Sequence, residues 1–414
     1  MVKKGKKFQM FEKVISVIGL GYIGLPTAVL LANSGYKVFG TDINNNTVEK
    51  INKGKIPIVE PELEEFLQTA LSGGCLVAST QQSPADIYLI CVPTPLYEKN
   101  GQPKPNIDNV ISAAETVAPF LKPNDIVIIE STCPLGTTQL IETNLRESGA
   151  PINEIHIAYC PERVLPGKIM SELVENDRIV GGNTETATVI AAEFYRTFVS
   201  GRVFETNAKT AELCKLAENS FRDVNIAFAN ELSMICENEK IDVWSLIQLA
   251  NRHPRVNILQ PGPGVGGHCI AVDPWFIVAH DAKNSNLIRC AREINDSKTK
   301  WVIDRIKDAA SVVSKGTGTT LKIACFGLAF KPNIDDLRGS PALEVALALK
   351  AQGYDVIGVE PNIIEHKKIE LLPIEQALDE ADILILLVGH DEFLVPNITQ
   401  KLAKKTTLDF CGAL

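Results

Sequence analysis

The sequence predicts an α/β protein in which two doubly wound domains are joined by a central domain with a long helix. Short apolar runs alternate with helical patterns near both ends of the chain, and a long stretch without Gly or Pro lies between them. At 414 residues the chain exceeds what one ordinary core supports, so two or three domains are expected. We predict domains at residues 1–206, 207–300 and 301–414.

The first domain is predicted from five short apolar runs. They are nearly continuous and rich in β-branched residues, as strands covered on both faces of a parallel sheet should be. They occupy residues 14–20, 37–42, 87–93, 126–131 and 155–161. The helical patterns between these runs predict a doubly wound parallel sheet, and such sheets bind ligands at their carboxyl edge.

A glycine-rich turn, GLGYIG, follows the first run directly and places Gly19, Gly21 and Gly24 in GxGxxG spacing. Asp42 ends the next run, at about the 20-residue distance expected of a ribose-binding carboxylate. In this strand–turn–helix setting the pattern indicates a Rossmann-like dinucleotide site. The carboxylate accepts from ribose hydroxyls and repels a 2′-phosphate, so we predict NAD rather than NADP as the cofactor.

Two later runs end in turns that carry threonine, Thr94 in VPTP and Thr132 in ESTCPLGT. Both turns belong at the sheet edge where dinucleotides bind, so both residues are candidate cofactor contacts. Tyr22 and Ile23 of the glycine turn are candidates for the same reason. The alternative for the threonines is a purely turn-forming role next to proline.

The central domain is predicted from residues 210–239, which have helical spacing and no Gly or Pro. An unbroken helix of this length is typical of a connector or a dimerisation spine. Lys215, Asn219 and Arg222 follow i, i+4, i+7 spacing, so they share one face of that helix.

The last domain is predicted to be a second α/β unit. Residues 321–330, 355–361 and 382–390 are typical of buried strands, and residues 341–353 have helical spacing. Gly327 ends the first of these strands, but the remainder of a GxGxxG pattern is missing there. We therefore expect this half to hold its ligand in a different way from the first half.

Residues 261–274, PGPGVGGHCIAVDP, place Cys269 behind a run of glycines and Asp273 four residues further on. Glycines leave backbone N–H groups uncovered and let a ligand come close. A thiol in such a place can attack a carbonyl when a neighbour stabilises its thiolate. The alternative is a glycine-rich turn followed by a buried cysteine.

Composition excludes several classes of protein. A net charge of −9 offers no footprint for nucleic acid or an anionic membrane. No apolar run approaches a bilayer span or a signal peptide, so neither insertion nor export is expected. The ten cysteines include no CxxC pair, which predicts no metal site and favours the reducing cytoplasm. Cys91, Cys160 and Cys325 lie in strand-like runs and are predicted to be core thiols.

These motifs together resemble the UDP-glucose/GDP-mannose dehydrogenase family, the nucleotide-sugar 6-dehydrogenases. The resemblance runs from about residue 14 to the end of the chain through GLGYIGLP, ESTCPLGT, CPERVLPG, AELCKLAENSFRDVNIAFANE, GPGVGGHCIAVDP and GLAFKPNIDDLRGSPA. It implies a four-electron oxidation of a sugar C6 hydroxymethyl group to a carboxylate, with two NAD⁺ reduced. It also implies a homodimer or a higher homo-oligomer.

The resemblance assigns catalytic roles to five residues. Cys269 would capture the aldehyde as a thiohemiacetal and hold it for the second hydride transfer, and the resulting thioester is then hydrolysed. Lys215 and Asn219 match the catalytic pair that steadies charge on the C6 oxygen, and Lys215 either moves the hydroxyl proton or acts only through its charge. Asp273 and Glu162 match acidic groups near the hydrolytic water, with a structural role left open for both.

The resemblance also implies contacts to the UDP-sugar substrate. The matching positions are Arg163, Val164, Lys215, Asn219, Arg222, His253, Arg255, Gly266, Lys331 and Arg338. UDP-glucose enzymes typically have a GFGGSCFPKD-type loop at this place. Here His268 stands in place of Ser, and Ala271-Val272 stand in place of Pro-Lys. This implies UDP-N-acetyl-D-mannosamine as the substrate and a uronic acid for surface polysaccharide as the product. UDP-N-acetylglucosamine or another UDP-sugar stays open, because epimers offer the same groups in different directions.

Two other classes of function remain alternatives. A two-electron dehydrogenase of the 6-phosphogluconate or hydroxyacyl type also pairs a Rossmann domain with long helices, but it needs no cysteine. A non-catalytic NAD- or nucleotide-sensing protein would not be expected to retain a thiol, a lysine and an amide together.

Overall fold

The computed structural model describes residues 12–58, 60–99, 101–267, 269–314 and 321–414. The chain folds into two compact units. The first contains the described residues up to Ala217 together with Trp275–His280, and the second contains Glu218–Pro274 and the described residues from Asp281 onward. The three domain boundaries expected from the sequence stay a prediction.

The first unit has an α/β architecture. Its strands are β1 (Val14–Ile18), β2 (Lys37–Thr41), β3 (Leu76–Ser79), β4 (Ile87–Ile90), β5 (Leu96–Lys99), β6 (Gln102–Pro105), β7 (Ile126–Ile129), β8 (His156–Tyr159), β9 (Arg178–Gly182) and β10 (Val203–Asn207). Its helices are α1 (Gly24–Asn33), α2 (Asn45–Asn52), α3 (Leu63–Ser72), α4 (Asp108–Val117), α5 (Thr137–Glu147), α6 (Ile169–Glu175) and α7 (Glu185–Tyr195). All five predicted strands are present.

The strands form an eight-stranded sheet in the order β10-β9-β8-β7-β4-β1-β2-β3, and β5 and β6 form a separate hairpin. Neighbouring strands are parallel except β8 and β9. Every residue of β4 and β7 is buried, as expected of strands covered on both faces. The strand order changes direction between β1 and β4, so the turns after these two strands meet at a topological switch point. The predicted doubly wound sheet is confirmed.

Helices dominate the middle of the chain. They are α8 (Ala208–Glu239), α9 (Val243–Ala250), α10 (Asp273–His280) and α11 (Asn286–Ser314). The predicted long helix is confirmed by α8, whose 32 residues extend for about 48 Å. Within the described part of the chain, no helix is both long enough and apolar enough to span a membrane.

A buried polar network joins α8 to α11 in the second unit. Arg292 Nη1 lies 2.6 Å from Asp223 Oδ1, and both side chains are almost fully buried. Nearby, Asn230 Nδ2 donates to Asn295 Oδ1 at 2.8 Å. Asn230 Oδ1 in turn accepts from the backbone N–H of Gly262 at 2.9 Å, so the network also holds the segment before the cysteine loop.

The second unit ends in its own doubly wound sheet. The elements are β11 (Lys322–Phe326), α12 (Pro341–Ala351), β12 (Asp355–Val359), β13 (Glu370–Leu371), α13 (Ile374–Glu380), β14 (Ile383–Leu386), α14 (Pro396–Leu402) and β15 (Thr406–Asp409). All neighbours are parallel in the order β13-β12-β11-β14-β15. The switch point lies between β11 and β14, so the predicted second Rossmann-like half is confirmed.

Candidate active site

The three glycines of the first turn have different physical roles. A Cβ atom at Gly19 would lie 2.5 Å from the carbonyl oxygen of Cys91, and one at Gly24 would lie 1.8 Å from the carbonyl oxygen of Gly19. These two positions are therefore fixed by packing within the protein. A Cβ atom at Gly21 would meet nothing within 4 Å. The open space at Gly21 fits a pyrophosphate, which must approach the backbone at the start of α1.

Asp42 lies beside this turn at the end of β2. Its Oδ2 accepts from the backbone N–H of Leu20 at 2.8 Å, and its Oδ1 accepts from that of Asn44 at 2.8 Å. The carboxylate is thereby fixed in orientation, and each oxygen has further lone-pair capacity. This geometry suits a group that also accepts from ribose hydroxyls.

The two threonine turns meet at the same sheet edge. The Thr94 hydroxyl donates to the Thr132 carbonyl at 2.7 Å, which joins the turns after β4 and β7. In the glycine turn, Ile23 packs against the apolar core, whereas Tyr22 packs on the small cluster around Ile169. Val164, a predicted substrate contact outside this turn, packs on the same cluster. The sheet edge thus collects the predicted cofactor residues within the first unit, and their contacts to the cofactor stay predictions.

Glu162 is buried in the first unit and forms an ion pair with Arg178, which is also buried. Its other oxygen accepts from the backbone N–H of Arg163 at 2.7 Å. Burial, followed by the negative charge of Glu162, raises the pKa of neighbouring Glu130, which accepts from the Tyr195 hydroxyl at 2.6 Å. Glu162 is consequently a fixed group, and its predicted catalytic role stays a prediction.

Arg178 was missed by the sequence analysis. It lies in the apolar strand RIVGG, where a charged side chain requires a buried partner. A charged residue within an apolar strand can be recognised from the sequence, but the residue that pairs with it cannot.

Two predicted catalytic residues on α8 are buried one turn apart, namely Lys215 and Asn219, whereas Arg222 is exposed. The Asn219 amide donates to Asp273 Oδ2 at 2.5 Å. Asp273 is itself 2% exposed and begins α10. The structure therefore joins two of the predicted catalytic groups of the second unit in a direct hydrogen bond.

Cys269 lies four residues before the start of α10, and its carbonyl oxygen accepts from the backbone N–H of Asp273 at 2.8 Å. Its side chain is exposed, unlike the predicted core thiols Cys91, Cys160 and Cys325, which are buried as expected. The alternative in which Cys269 is a buried core residue is therefore wrong. His268, which precedes it, lies outside the described residues.

Gly266 and Gly267, the two glycines nearest Cys269, are closely packed, and the expectation that the glycines let a ligand approach stays a prediction. A Cβ atom at Gly266 would lie 2.6 Å from the Gly339 carbonyl oxygen, and one at Gly267 would lie 3.0 Å from the Phe330 ring. Gly267 also has φ near +85°, which favours glycine. The cysteine loop is thus pressed against the turn that follows β11. The predicted contact between Gly266 and substrate stays a prediction.

Four predicted substrate residues of the second unit lie in two turns, in addition to Asn219 and Arg222 on α8 and Gly266 in the cysteine loop. Arg338 forms a bidentate pair with Asp336, with Nε–Oδ1 and Nη2–Oδ2 distances of 2.8 and 2.6 Å, and Lys331 is half-buried in the same turn. His253 and Arg255 are exposed in another turn, where His253 Nδ1 accepts from the Arg255 backbone N–H at 3.3 Å.

The first unit thus has a GxGxxG turn held by the Asp42 carboxylate, and the second has an exposed cysteine four residues before the carboxylate that accepts from Asn219. Fold and site together define a dehydrogenase that uses NAD. Models of the UDP-glucose/GDP-mannose dehydrogenase family match its NAD binding domain at residues 13–199, its central domain at 209–297 and its UDP binding domain at 324–414. The chain belongs to this family, as its motifs predicted.

Individual relatives are similar over nearly the whole chain. UDP-N-acetyl-D-mannosamine dehydrogenase of Escherichia coli (strain K12) is 53% identical over 401 residues, which cover 92% of this chain and 95% of the relative. NDP-N-acetyl-D-galactosaminuronic acid dehydrogenase of Ralstonia solanacearum is 49% identical over 414 residues, covering 97% and 96%. The solved structure of UDP-D-ManNAc dehydrogenase from Pyrococcus horikoshii has a TM-score of 0.86 at 37% identity, covering 97% of this chain and 96% of that one.

The glycine geometry generates a paired prediction. Gly21→Ala should leave the unfolding temperature unchanged but raise the NAD Kd at least about tenfold, because its methyl group occupies the open space next to the pyrophosphate. Gly24→Ala should destabilise the fold by about 1–3 kcal/mol, because its methyl group collides with the Gly19 carbonyl. Thermal unfolding and calorimetric titration with NAD measure the two effects.

Gly73→Ala is the matched control, since Gly73 is exposed in the same unit and has negative φ. It should change neither quantity appreciably. Unaltered NAD affinity in Gly21→Ala would exclude Gly21 from the cofactor contact.

Proposed function

We propose that this protein oxidises C6 of UDP-N-acetyl-D-mannosamine to give UDP-N-acetyl-D-mannosaminuronate, with two NAD⁺ reduced for each sugar. The observation that carries the proposal is the exposed thiol of Cys269, which lies four residues before Asp273 in the chain. Asp273 is buried and accepts a hydrogen bond from the buried Asn219. The 53% identity to an enzyme named UDP-N-acetyl-D-mannosamine dehydrogenase supports the choice of sugar.

The residues on α8 act on the C6 oxygen. The Lys215 ammonium and the Asn219 amide donate to this oxygen as it loses its proton and later carries negative charge. Both side chains are buried, so their hydrogen bonds are made in surroundings less polar than water. Bound NAD⁺ accepts the hydride that leaves C6 in each of the two oxidations.

Cys269 explains how one site performs both oxidations. Its thiolate adds to the aldehyde carbon, so a C–S bond forms and the carbonyl oxygen becomes the hydroxyl of a thiohemiacetal. Loss of the second hydride and of the hydroxyl proton gives a thioester. Water then adds to that carbon, the C–S bond breaks, and the thiol and the sugar carboxylate are released. Over the whole reaction one water is consumed, and three protons and two NADH are formed.

Asp273 is suited to orient the hydrolytic water. Asn219 donates to its Oδ2, and its backbone N–H donates to the Cys269 carbonyl. These two hydrogen bonds fix Asp273 next to Cys269, the residue whose sulfur reacts in this proposal. Glu162 is a second candidate for this role and is held in place by Arg178.

Basic groups of the second unit are proposed to bind the UDP group. Lys331 and Arg338 lie in the turn after β11, within the residues matched by the UDP binding domain. Arg338 is oriented by its bidentate pair with Asp336. His253, Arg255 and Arg222 are further candidates of this unit, and Arg163 of the first unit is a candidate by resemblance to the family.

A second candidate substrate is a nucleotide-linked N-acetylgalactosamine. It is favoured by the 49% identity over 414 residues to a relative named NDP-N-acetyl-D-galactosaminuronic acid dehydrogenase. The 53% identity to the mannosamine relative is slightly higher, so identity places mannosamine first and galactosamine second.

A panel of UDP-N-acetylhexosamine epimers tests the proposed reaction, with NADH counted by absorbance for each sugar consumed. UDP-N-acetylmannosamine should have the highest kcat/KM and yield two NADH with a carboxylate product. One NADH with an aldehyde or ketone product would instead indicate a two-electron dehydrogenase. A higher kcat/KM with the galactosamine epimer would select the second candidate.

Cys269→Ser should lower the rate of uronate formation at least about a hundredfold, because a hydroxyl is a far weaker nucleophile than a thiolate. The chain offers Cys290→Ser as a control, since Cys290 is also exposed. That variant should keep its rate within about twofold. Full turnover by Cys269→Ser, measured as uronate produced over time, would refute covalent catalysis.

We further infer that the protein works as a cytoplasmic homodimer. None of the ten cysteines, all of which lie within the described residues, forms a disulfide, as expected in a reducing compartment. Phe221, Phe228 and Ile235 are spaced seven residues apart on α8 and are 69%, 50% and 52% exposed, so they form an apolar stripe on one helix face. An exposed stripe of large apolar side chains is typical of an interface between subunits.

Phe228→Glu should therefore convert the dimer to a monomer, because the charge would be buried at the interface. Light scattering after size-exclusion chromatography measures the mass. Val77→Glu places the same charge on an exposed apolar residue of the first unit, and it should leave the mass unaltered. A dimer that persists in Phe228→Glu would exclude this helix face.

A further inference from the structure

The two doubly wound halves share one backbone arrangement. Gly19 N–H donates to the Thr41 carbonyl at 2.8 Å, and Gly327 N–H donates to the Val359 carbonyl at 2.9 Å. In both halves an acidic residue follows the second strand and accepts from the turn after the first strand. In the second half this residue is Glu360, whose Oε2 accepts from the backbone N–H groups of Leu328 and Ala329 at 2.7 and 3.0 Å.

Glu360 nevertheless lies in different surroundings from Asp42. Asp42 is half-buried at the sheet edge, whereas Glu360 is buried beneath the turn. Glu360 Oε2 also contacts His390 Nε2 at 3.0 Å, and neither side chain is accessible to solvent. Its Oε1 faces Asn362, whose backbone N–H donates at 3.2 Å. The second carboxylate is therefore committed to contacts within the protein.

The hydrogen bonds of His390 define the roles of its two ring nitrogens. Its Nδ1 accepts from the backbone N–H of Asn333 at 3.0 Å, and a backbone N–H can only donate. Nδ1 is therefore the acceptor of the ring, and Nε2 is the donor to Glu360. Burial alone would raise the pKa of Glu360, but the hydrogen bonds from His390 and Leu328 hold it below its usual range.

These contacts surround Lys331. Glu360 holds Leu328 and Ala329 on one side of it, and His390 holds Asn333 on the other. Asn333 has φ of +60°, a left-handed conformation that a non-glycine residue adopts when its surroundings stabilise it. The Asn333 side chain also accepts from the Asp391 backbone N–H at 3.1 Å. This hydrogen bond connects Asn333 to the segment that follows His390.

We propose that Glu360 and His390 are positioning residues for UDP: together they hold the backbone of residues 328–333 so that Lys331 is directed at the diphosphate. This inference rests on the proposed function, in which Lys331 binds the diphosphate. In this proposal, Glu360 and His390 contact neither the reacting carbon nor the nicotinamide. They act through the backbone of the turn, so their substitution changes the affinity for UDP.

His390→Phe and Glu360→Asp test the role. Phenylalanine retains the ring but removes both nitrogen contacts, and aspartate retains the charge but is too short to reach the turn and His390 together. UDP itself is the probe in calorimetric titrations, and KM and kcat are measured with the UDP-sugar. Both variants should raise the UDP Kd and the sugar KM about tenfold or more, with kcat and NAD affinity within about twofold.

His366→Phe is the matched control. His366 lies in the same half, and its Nδ1 also accepts from a backbone N–H, that of Ile369 at 3.2 Å, but its turn does not contain Lys331. Its UDP affinity should equal that of the unmodified protein. If His390→Phe does not fold, the positioning role is tested with Glu360→Asp through the same UDP Kd, KM, kcat and NAD affinity measurements.

A double-mutant cycle with Lys331→Met tests whether the pair acts through Lys331. His390→Phe should change the UDP Kd by no more than about twofold in the Lys331→Met background, because the group being positioned is already absent. Additive effects would overturn the role, as would unaltered UDP affinity in folded His390→Phe, or equal losses of UDP and NAD affinity. If the unmodified protein binds no UDP, the proposed function fails and the positioning role with it. If it binds UDP and the variants bind equally well, only the positioning role fails.

Discussion

Both ligand-binding halves depend on one interaction, in which a carboxylate at the end of the second strand accepts from the backbone of the turn after the first strand. Asp42 holds Leu20 in this way, and Glu360 holds Leu328 and Ala329. Backbone N–H groups in such turns need acceptors, and a carboxylate satisfies them while fixing the turn's shape. The halves differ in what else the carboxylate meets. Asp42 lies beside the open space at Gly21, whereas Glu360 is enclosed with His390. The first carboxylate is therefore placed where the predicted ribose contact is possible, and the second makes its contacts within the protein.

The cysteine loop belongs structurally to the UDP-binding half. Gly266 and Gly267 leave no room for a side chain next to Gly339 and Phe330, and Asn230 holds the segment before them. The turn with Lys331 and the loop with Cys269 are therefore packed together within one compact unit. In the proposed mechanism, the unit that binds the UDP group is also the unit that carries Cys269, which favours a constant distance between the bound diphosphate and the sulfur.

Local sequence patterns were sufficient for the parts of the fold that have a strong periodicity. The buried strands, α8, the glycine turn and the family were predicted because their signals lie within short windows. The helix α11 was not predicted, although residues 286–314 also contain no Gly or Pro. The strand β10 reads VFETN and carries little apolar signal. The packing role of Gly266 and the Glu360–His390 contact join residues distant along the chain, so no local pattern reveals them.

The distribution of thiols sets how oxidants and alkylating agents meet this molecule. Burial raises the pKa of the Cys160 and Cys325 thiols to about 12, so these sulfurs stay protonated as well as enclosed. Cys269 is exposed, so peroxide or iodoacetamide can reach its sulfur. Under the proposed mechanism, the exposure that admits a sugar aldehyde also leaves the nucleophile open to oxidation and alkylation, whereas Cys91, Cys160 and Cys325 are protected by burial.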